Sequence, residues 1–171
     1  MKTPMLFAIL SFAQILLIAF LPFASADLVD DTCKKTPYSN FCVSALRSDR
    51  RSATAYTATL GLIMVDKVDA NAEVTLAKIQ DLLRGSPNPG TKQALTFCEG
   101  SYKFARSELV PSSKDSFTGS VYKFAVDNMK RAASQASECE AGFGGKSPLS
   151  DSNDYENKAA SVASAIASLL L

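Results

Sequence analysis

Histidine is absent from all 171 residues of this chain, and so is tryptophan. Histidine is the usual general base and the one side chain whose unperturbed pKa lies near neutrality, so nucleophile-histidine triads are excluded. A glycosidase built from two distant carboxylates would lack the indole on which sugars are commonly stacked. Glu138 and Glu140 stand two apart on an expected helix, point to different faces, and read as solvated surface. No sign of charge dominates either: 18 basic side chains face 17 acidic ones, which leaves no basic surplus for a nucleic acid. No phosphate-binding loop is present, and no Asn-x-Ser/Thr sequon, so N-glycosylation is not expected.

Cysteine is scarce but even in number, at Cys33, Cys42, Cys98 and Cys139. No two stand as a ligand pair two to four residues apart and no histidine completes a site, so neither a metal nor another cofactor is expected. The compartment decides what the four thiols do. Met1-Lys2 is followed by a nearly unbroken apolar run from Met5 to Phe23 and then Ala24-Ser25-Ala26, the pattern of a secretory signal cleaved after Ala26. A run of this length could just cross about 30 Å of hydrocarbon as an anchor, but Pro22 and the small-x-small site favour cleavage and no membrane segment thereafter. The remaining 27–171 carry 17 charges of each sign, enter an oxidising compartment, and suffice for one domain.

Within that domain the periodicity is helical. From Ser52 to Leu83 no proline intervenes, and Tyr56, Leu60, Ile63, Met64, Val68, Ala72, Leu76, Ile79 and Leu83 recur at steps of three and four, which predicts one long amphipathic helix. Gly85 to Gly90 ends it. Thr91 is the expected N-cap of a second helix striped by Leu95, Cys98, Tyr102, Ala105 and Leu109, broken at Pro111-Ser112-Ser113. A third stripe runs Phe117, Val121, Phe124 or Ala125, Met129, Ala132, Ala136 and Cys139. After the turn Gly142 to Pro148, a fourth helix starts near Asp151 or Asp154 and carries Tyr155, Ala159, Val162, Ile166 and Leu169. Four such stripes joined by short turns predict an all-α, up-down-up-down four-helix bundle over 51–171.

Residues 27–50 are a different piece, two short helices bent into a hairpin around Thr36 to Asn40. Helices this short are marginal alone and need a staple. Four cysteines allow three connectivities; Cys33 with Cys42 and Cys98 with Cys139 are preferred because each joins sequential neighbours. In a chain-entropy account such loops stabilise by about 3 and about 4 kcal/mol.

An exported, cysteine-stapled hairpin followed by a bundle with a second bridge resembles the plant invertase and pectin methylesterase inhibitor family. The resemblance covers the whole of 27–171 and is carried by Asp31-Thr32-Cys33-Lys34-Lys35-Thr36-Pro37, by Phe41 to Asp49, and by Arg51 to Ala55. In that family the cysteines pair first with second and third with fourth, as preferred above. Three stretches look like the invertase-directed branch: Arg47 to Ala55, Leu62 to Lys67, and Glu138-Cys139-Glu140 leading to Gly145-Lys146-Ser147-Pro148-Leu149. The resemblance implies a secreted protein, not an enzyme, that binds acid invertase and blocks its sucrose cleft. Pectin methylesterase is the alternative target, and a scaffold with no enzyme target is the alternative of another class. Cell wall and vacuole are both open as its destination.

Inhibitors of the invertase branch insert a Pro-Lys-Phe motif, and the matching position here is Tyr122-Lys123-Phe124, without the proline. Lys123 and Phe124 are therefore the expected target contacts, with Tyr122 in the altered first place. A competing reading puts Phe117, Val121 and Phe124 in the core, with Lys123 turned to water. Tyr102-Lys103-Phe104 does not align with the motif and reads as helix core and surface. With no histidine, any pH response between 5 and 7 must come from a partner's carboxylates or from perturbed ones of the chain's own.

Overall fold

The computed structural model describes residues 27–171, all-helical and without strands among them. The expected signal peptide, 1–26, lies outside the described residues. Asp27 opens helix α1 (Leu28–Cys33), its carboxylate accepting from the Val29 N–H at 3.0 Å, and Ser39–Arg47 forms α2. Cys33 and Cys42 join the two with Cα atoms 5.5 Å apart. Arg47, in the last turn of α2, donates back to Asp27 at 2.7 Å and Asp30 at 3.0 Å, a pairing that places opposite charges where each helix dipole favours them. The inner face of this hairpin, Val29, Cys33, Cys42, Ala45 and Leu46, is buried in the same apolar cluster as one end of the bundle. Phe41 also packs edge-on against Tyr155, ring centroids 5.2 Å apart.

The first long helix, α3, spans Thr57–Arg84 and starts later than its apolar period predicts. Arg50–Thr54 is a 3₁₀ turn, and Ala55 and Tyr56 are extended. Tyr56 is 83% exposed and not part of the stripe. The cause is local and tertiary together: the Asp49 carboxylate caps the turn through the Arg51 N–H, and the Arg51 side chain bridges Asp49 and Asp66 at 2.7 and 2.8 Å, which pulls the segment across the flank of α3.

Helix α4, Pro89–Phe104, is capped by Asn88 and not by Thr91: Asn88 Oδ1 accepts from the Thr91 N–H at 2.9 Å, with Pro89 in the first turn where its missing N–H is harmless. Nor does Pro111 end this bar. A π turn over Ala105–Leu109 widens the helix ahead of the proline and lets it run on as α5, Val110–Thr118. In a regular α-helix the proline ring would strike the Ser107 carbonyl; the wider turn relieves that contact, and buried Leu109, Val110 and Phe117 hold the continuation in place. The break comes instead at Gly119-Ser120-Val121, with Ser120 at φ 57°. Helix α6, Tyr122–Ala141, and α7, Ser150–Ser168, complete the bundle.

Alanines line the α6–α7 contact: Ala125, Ala132, Ala133 and Ala136 from one side, Ala159, Ala160, Ala163 and Ala167 from the other. Side chains this small let the backbones approach, so Ser164 Oγ donates to the Val126 carbonyl at 3.0 Å and Asn157 Nδ2 to that of Ala133. Cys98 and Cys139 bridge α4 to α6 with Cα atoms 5.1 Å apart. The buried apolar residues fall into two clusters, one toward the hairpin and one around Cys98–Cys139, Ile79, Leu95 and Leu149. Where the two clusters meet, all four bars contribute polar side chains: Asn71 and Thr75 from α3, Tyr102 from α4 at the edge of the second cluster, Gln135 from α6, and Asn153 and Glu156 from α7. Among the described residues no helix is long and apolar enough to cross a membrane.

Candidate functional site

The Tyr122-Lys123-Phe124 triplet forms the first turn of α6, immediately after the Gly119–Val121 corner. Phe124 is 60% exposed and Val121 51%, so neither joins the core; Ala125 and Val126 occupy the inward positions instead. The reading of Phe117, Val121 and Phe124 as one stripe fails because the chain breaks between the first and the other two. Only Phe117 is buried, at the end of α5. Tyr122 turns partly inward, its ring 6.0 Å from that of Phe117 and its hydroxyl 3.3 Å from Ser120 Oγ. Lys123 is exposed and donates to both carboxylate oxygens of Asp127, one turn on, at 2.8 and 2.7 Å. No side chain caps this helix start. The corner therefore presents an apolar pair, Val121 and Phe124, beside an ammonium group that a single exposed carboxylate holds.

Other acidic and aromatic groups have structural partners. Glu140 accepts from Ser150 Oγ at 2.6 Å and Asn153 Nδ2 at 2.7 Å, closing the loop between α6 and α7. Burial pushes its carboxyl up, but these hydrogen bonds and one from Ser147 outweigh that and hold it below the ordinary range. Glu138 accepts from Ser134 on the exposed face. In the Tyr102-Lys103-Phe104 triplet, Tyr102 is buried and donates to Asn153 Oδ1 at 2.8 Å, Lys103 pairs with Glu99, and Phe104 lies under the Arg131 guanidinium, 4.4 Å from its centroid.

The Arg47-to-Ala55 and Leu62-to-Lys67 stretches meet each other through the Arg51–Asp66 ion pair. They feed a chain of alternating charges along α3: Asp49, Arg51, Asp66, Lys114, Asp69, Arg106 and Glu73. Hydrogen bonds from the Arg51 side chain and backbone hold the Asp49 carboxyl at about 2. Burial raises Asp69, yet hydrogen bonds from Arg106 and Lys114 bring it below its ordinary value. Periodicity missed this chain, although Asp66, Asp69 and Glu73 already stood at helical spacing on one face. Among the described residues no cluster of three or more acidic, cysteine or histidine side chains is arranged to hold a metal.

Comparison with known proteins gives these geometries a context. Residues 27–169 match the family model described as plant invertase/pectin methylesterase inhibitor. The cell wall / vacuolar inhibitor of fructosidase 1 of Arabidopsis thaliana is 36% identical over 143 residues, covering 84% of this chain and 69% of its own length. A putative invertase inhibitor of Platanus acerifolia is 32% identical over 140 residues, 78% of each chain. Among solved structures, the mutant form A of a pectin methylesterase inhibitor from Arabidopsis superimposes with a TM-score of 0.72 at 21% identity, over 81% of this chain and 94% of its own, a likeness of fold.

Proposed function

Because the chain belongs to the plant invertase/pectin methylesterase inhibitor family, we propose that it is a secreted proteinaceous inhibitor of acid invertase and has no catalytic role of its own. The observation that carries this reading is the exposed corner at the start of α6, where Lys123 and Phe124 project together from a rigid, disulfide-braced bundle. A glycosidase cleft presents carboxylates. Lys123 exchanges the exposed Asp127 for those carboxylates and forms charge-assisted hydrogen bonds that exclude sucrose. Exposed ion pairs contribute little, so giving up Asp127 opposes this exchange weakly. Phe124 and Val121 supply apolar area, and Tyr122, braced on Phe117, fixes the angle at which the turn leaves the corner. The names of the relatives support invertase over other targets and a destination in the cell wall or vacuole.

In this reading 1–26 is the export signal and 27–171 the single inhibitor domain, hairpin 27–50 and bundle 51–171. The secreted protein should begin at Asp27 on N-terminal sequencing. The oxidised protein should suppress sucrose hydrolysis by acid invertase at micromolar concentration, and full activity there refutes the proposal. Lys123→Ala should raise the inhibition constant about fivefold or more, on the order of 1 kcal/mol for a contact of this kind. An unchanged constant removes Lys123 from the interface.

One observation favours a second reading. Tyr122 replaces the motif proline and continues into helix, so the corner is a helix start and not a kinked strap. Pectin methylesterase is then the target, through helix faces of the bundle, and methanol release from pectin measured in parallel separates the two. Failure in both assays by a well-folded protein leaves a scaffold with no enzyme target.

A further inference from the structure

Glu156 lies in the polar layer between the two apolar clusters, 1% exposed. Its Oε2 accepts from Asn71 Nδ2 at 2.7 Å; its Oε1 is buried and has no hydrogen-bond partner. Across the same small cavity, of about 10 Å³, lies Gln135, whose Oε1 is likewise buried and unpartnered. Two acceptor oxygens thus line one small cavity, and neither has a hydrogen-bond partner. Such a pair is costly in an apolar interior, and one proton on Glu156 Oε1 converts it into a donor and an acceptor.

The charges around the group do not favour its ionised form. From α3, Asp69 adds negative potential, and its own cations, Arg106 and Lys114, are engaged with it. From α4 comes the neutral phenol of Tyr102, and from α6 the carboxylate of Glu140, which is held through Asn153. On α7 itself the neighbour is Tyr155, whose hydroxyl is raised by burial and by Glu156. No cation stands within salt-bridge distance of Glu156 among the described residues.

We infer that the bundle is built to carry Glu156 as a neutral carboxylic acid, hydrogen-bonded toward Gln135, so that the fold is favoured in an acidic compartment and weakened as the surroundings approach mild alkalinity. Burial pushes the carboxyl up to about 8, with the Asn71 hydrogen bond only partly offsetting it. In the unfolded chain the same group ionises near its ordinary value. Between about pH 4.5 and 8 the native state therefore binds a proton that the unfolded state has released. Stability from this group is complete below the lower limit and is lost as pH rises through the window.

Urea unfolding of the oxidised 27–171 protein from pH 4.5 to 8 tests this without any target enzyme. The unfolding constant should rise with pH, by at most roughly tenfold per unit, and Glu156→Gln should remove most of that rise. Parallel pH profiles for the two proteins overturn the inference. The rival arrangement, an ionised Glu156 accepting from a reversed Gln135 amide, predicts such parallel profiles. Should Glu156→Gln not fold, ¹³C NMR of the side-chain carboxyls in the unaltered protein still decides. A Glu156 signal that stays protonated through pH 6 supports the inference; one that titrates between pH 4 and 5 ends it.

Discussion

Phe117 sits over Gly61 so closely that a Cβ there would lie 2.2 Å from the ring's Cε1. Glycine inside a helix sacrifices about 1 kcal/mol relative to alanine, and here the missing methyl makes room for the ring that ends α5. Gly61→Ala should therefore destabilise the protein by about 1 kcal/mol or more in urea unfolding, the overpacking outweighing the gain in helix propensity. Phe117→Leu, which removes the ring, should restore tolerance of the alanine. At the same scale Asp127 governs Lys123. Asp127→Asn should free the ammonium and remove a negative charge from the approach to an acidic cleft, lowering the inhibition constant for invertase; a weaker inhibitor would contradict the exchange. Lys123 is singled out in the chain by the family motif alone. Its Asp127 partner was equally visible at i+4, but that spacing is common on any helix and carried no message by itself.

Among elements, the bar from Pro89 to Thr118 departs most from its sequence reading. Pro111 read as a terminator, a sound inference from a missing N–H and a bulky ring. What overrides it lies elsewhere in the chain: Arg106 and Lys114, on either side of the proline, both grip Asp69 on α3, and Leu109, Val110 and Phe117 are buried. Such cross-helix contacts do not register in a local pattern. Asp69→Ala should release both grips on that carboxylate at once and lower stability by about 1 kcal/mol, since the group is part-buried and belongs to a network; an unfolding midpoint identical to that of the unaltered protein would show the π turn to be held without help from Asp69. The start of α3 failed to be read for the same reason, with Arg51 drawn to Asp66. By contrast the stripe of α3 from Leu60 on, that of α6 from Met129 on and that of α7 as far as Ile166 were legible, as were the four-bar count and the hairpin, because periodic burial is the one signal that local sequence repeats many times over.

For the whole molecule, two opposed titrations bracket the best pH. Asp49, lowered by Arg51 to about 2, contributes stability above the ordinary carboxylate range and loses it as pH falls from about 4 to 2. Asp69, also lowered by its cations, acts in the same direction. Glu156, raised by burial, acts in the opposite one. Thermal unfolding should accordingly peak near pH 4 to 5 and decline on both sides; a maximum at neutral pH would contradict the balance.

The polar layer that divides the core also keeps count for the bundle. Leucine and alanine accept many neighbours, so a helix sliding one turn along its partners would find passable company in either apolar half. Asn71 meets Glu156 and the Ser152 carbonyl, and Tyr102 meets Asn153, which in turn reaches Glu140. One slip strands all of them at once, so the four bars lock at a single height, and it is at that height that Cys98 comes opposite Cys139.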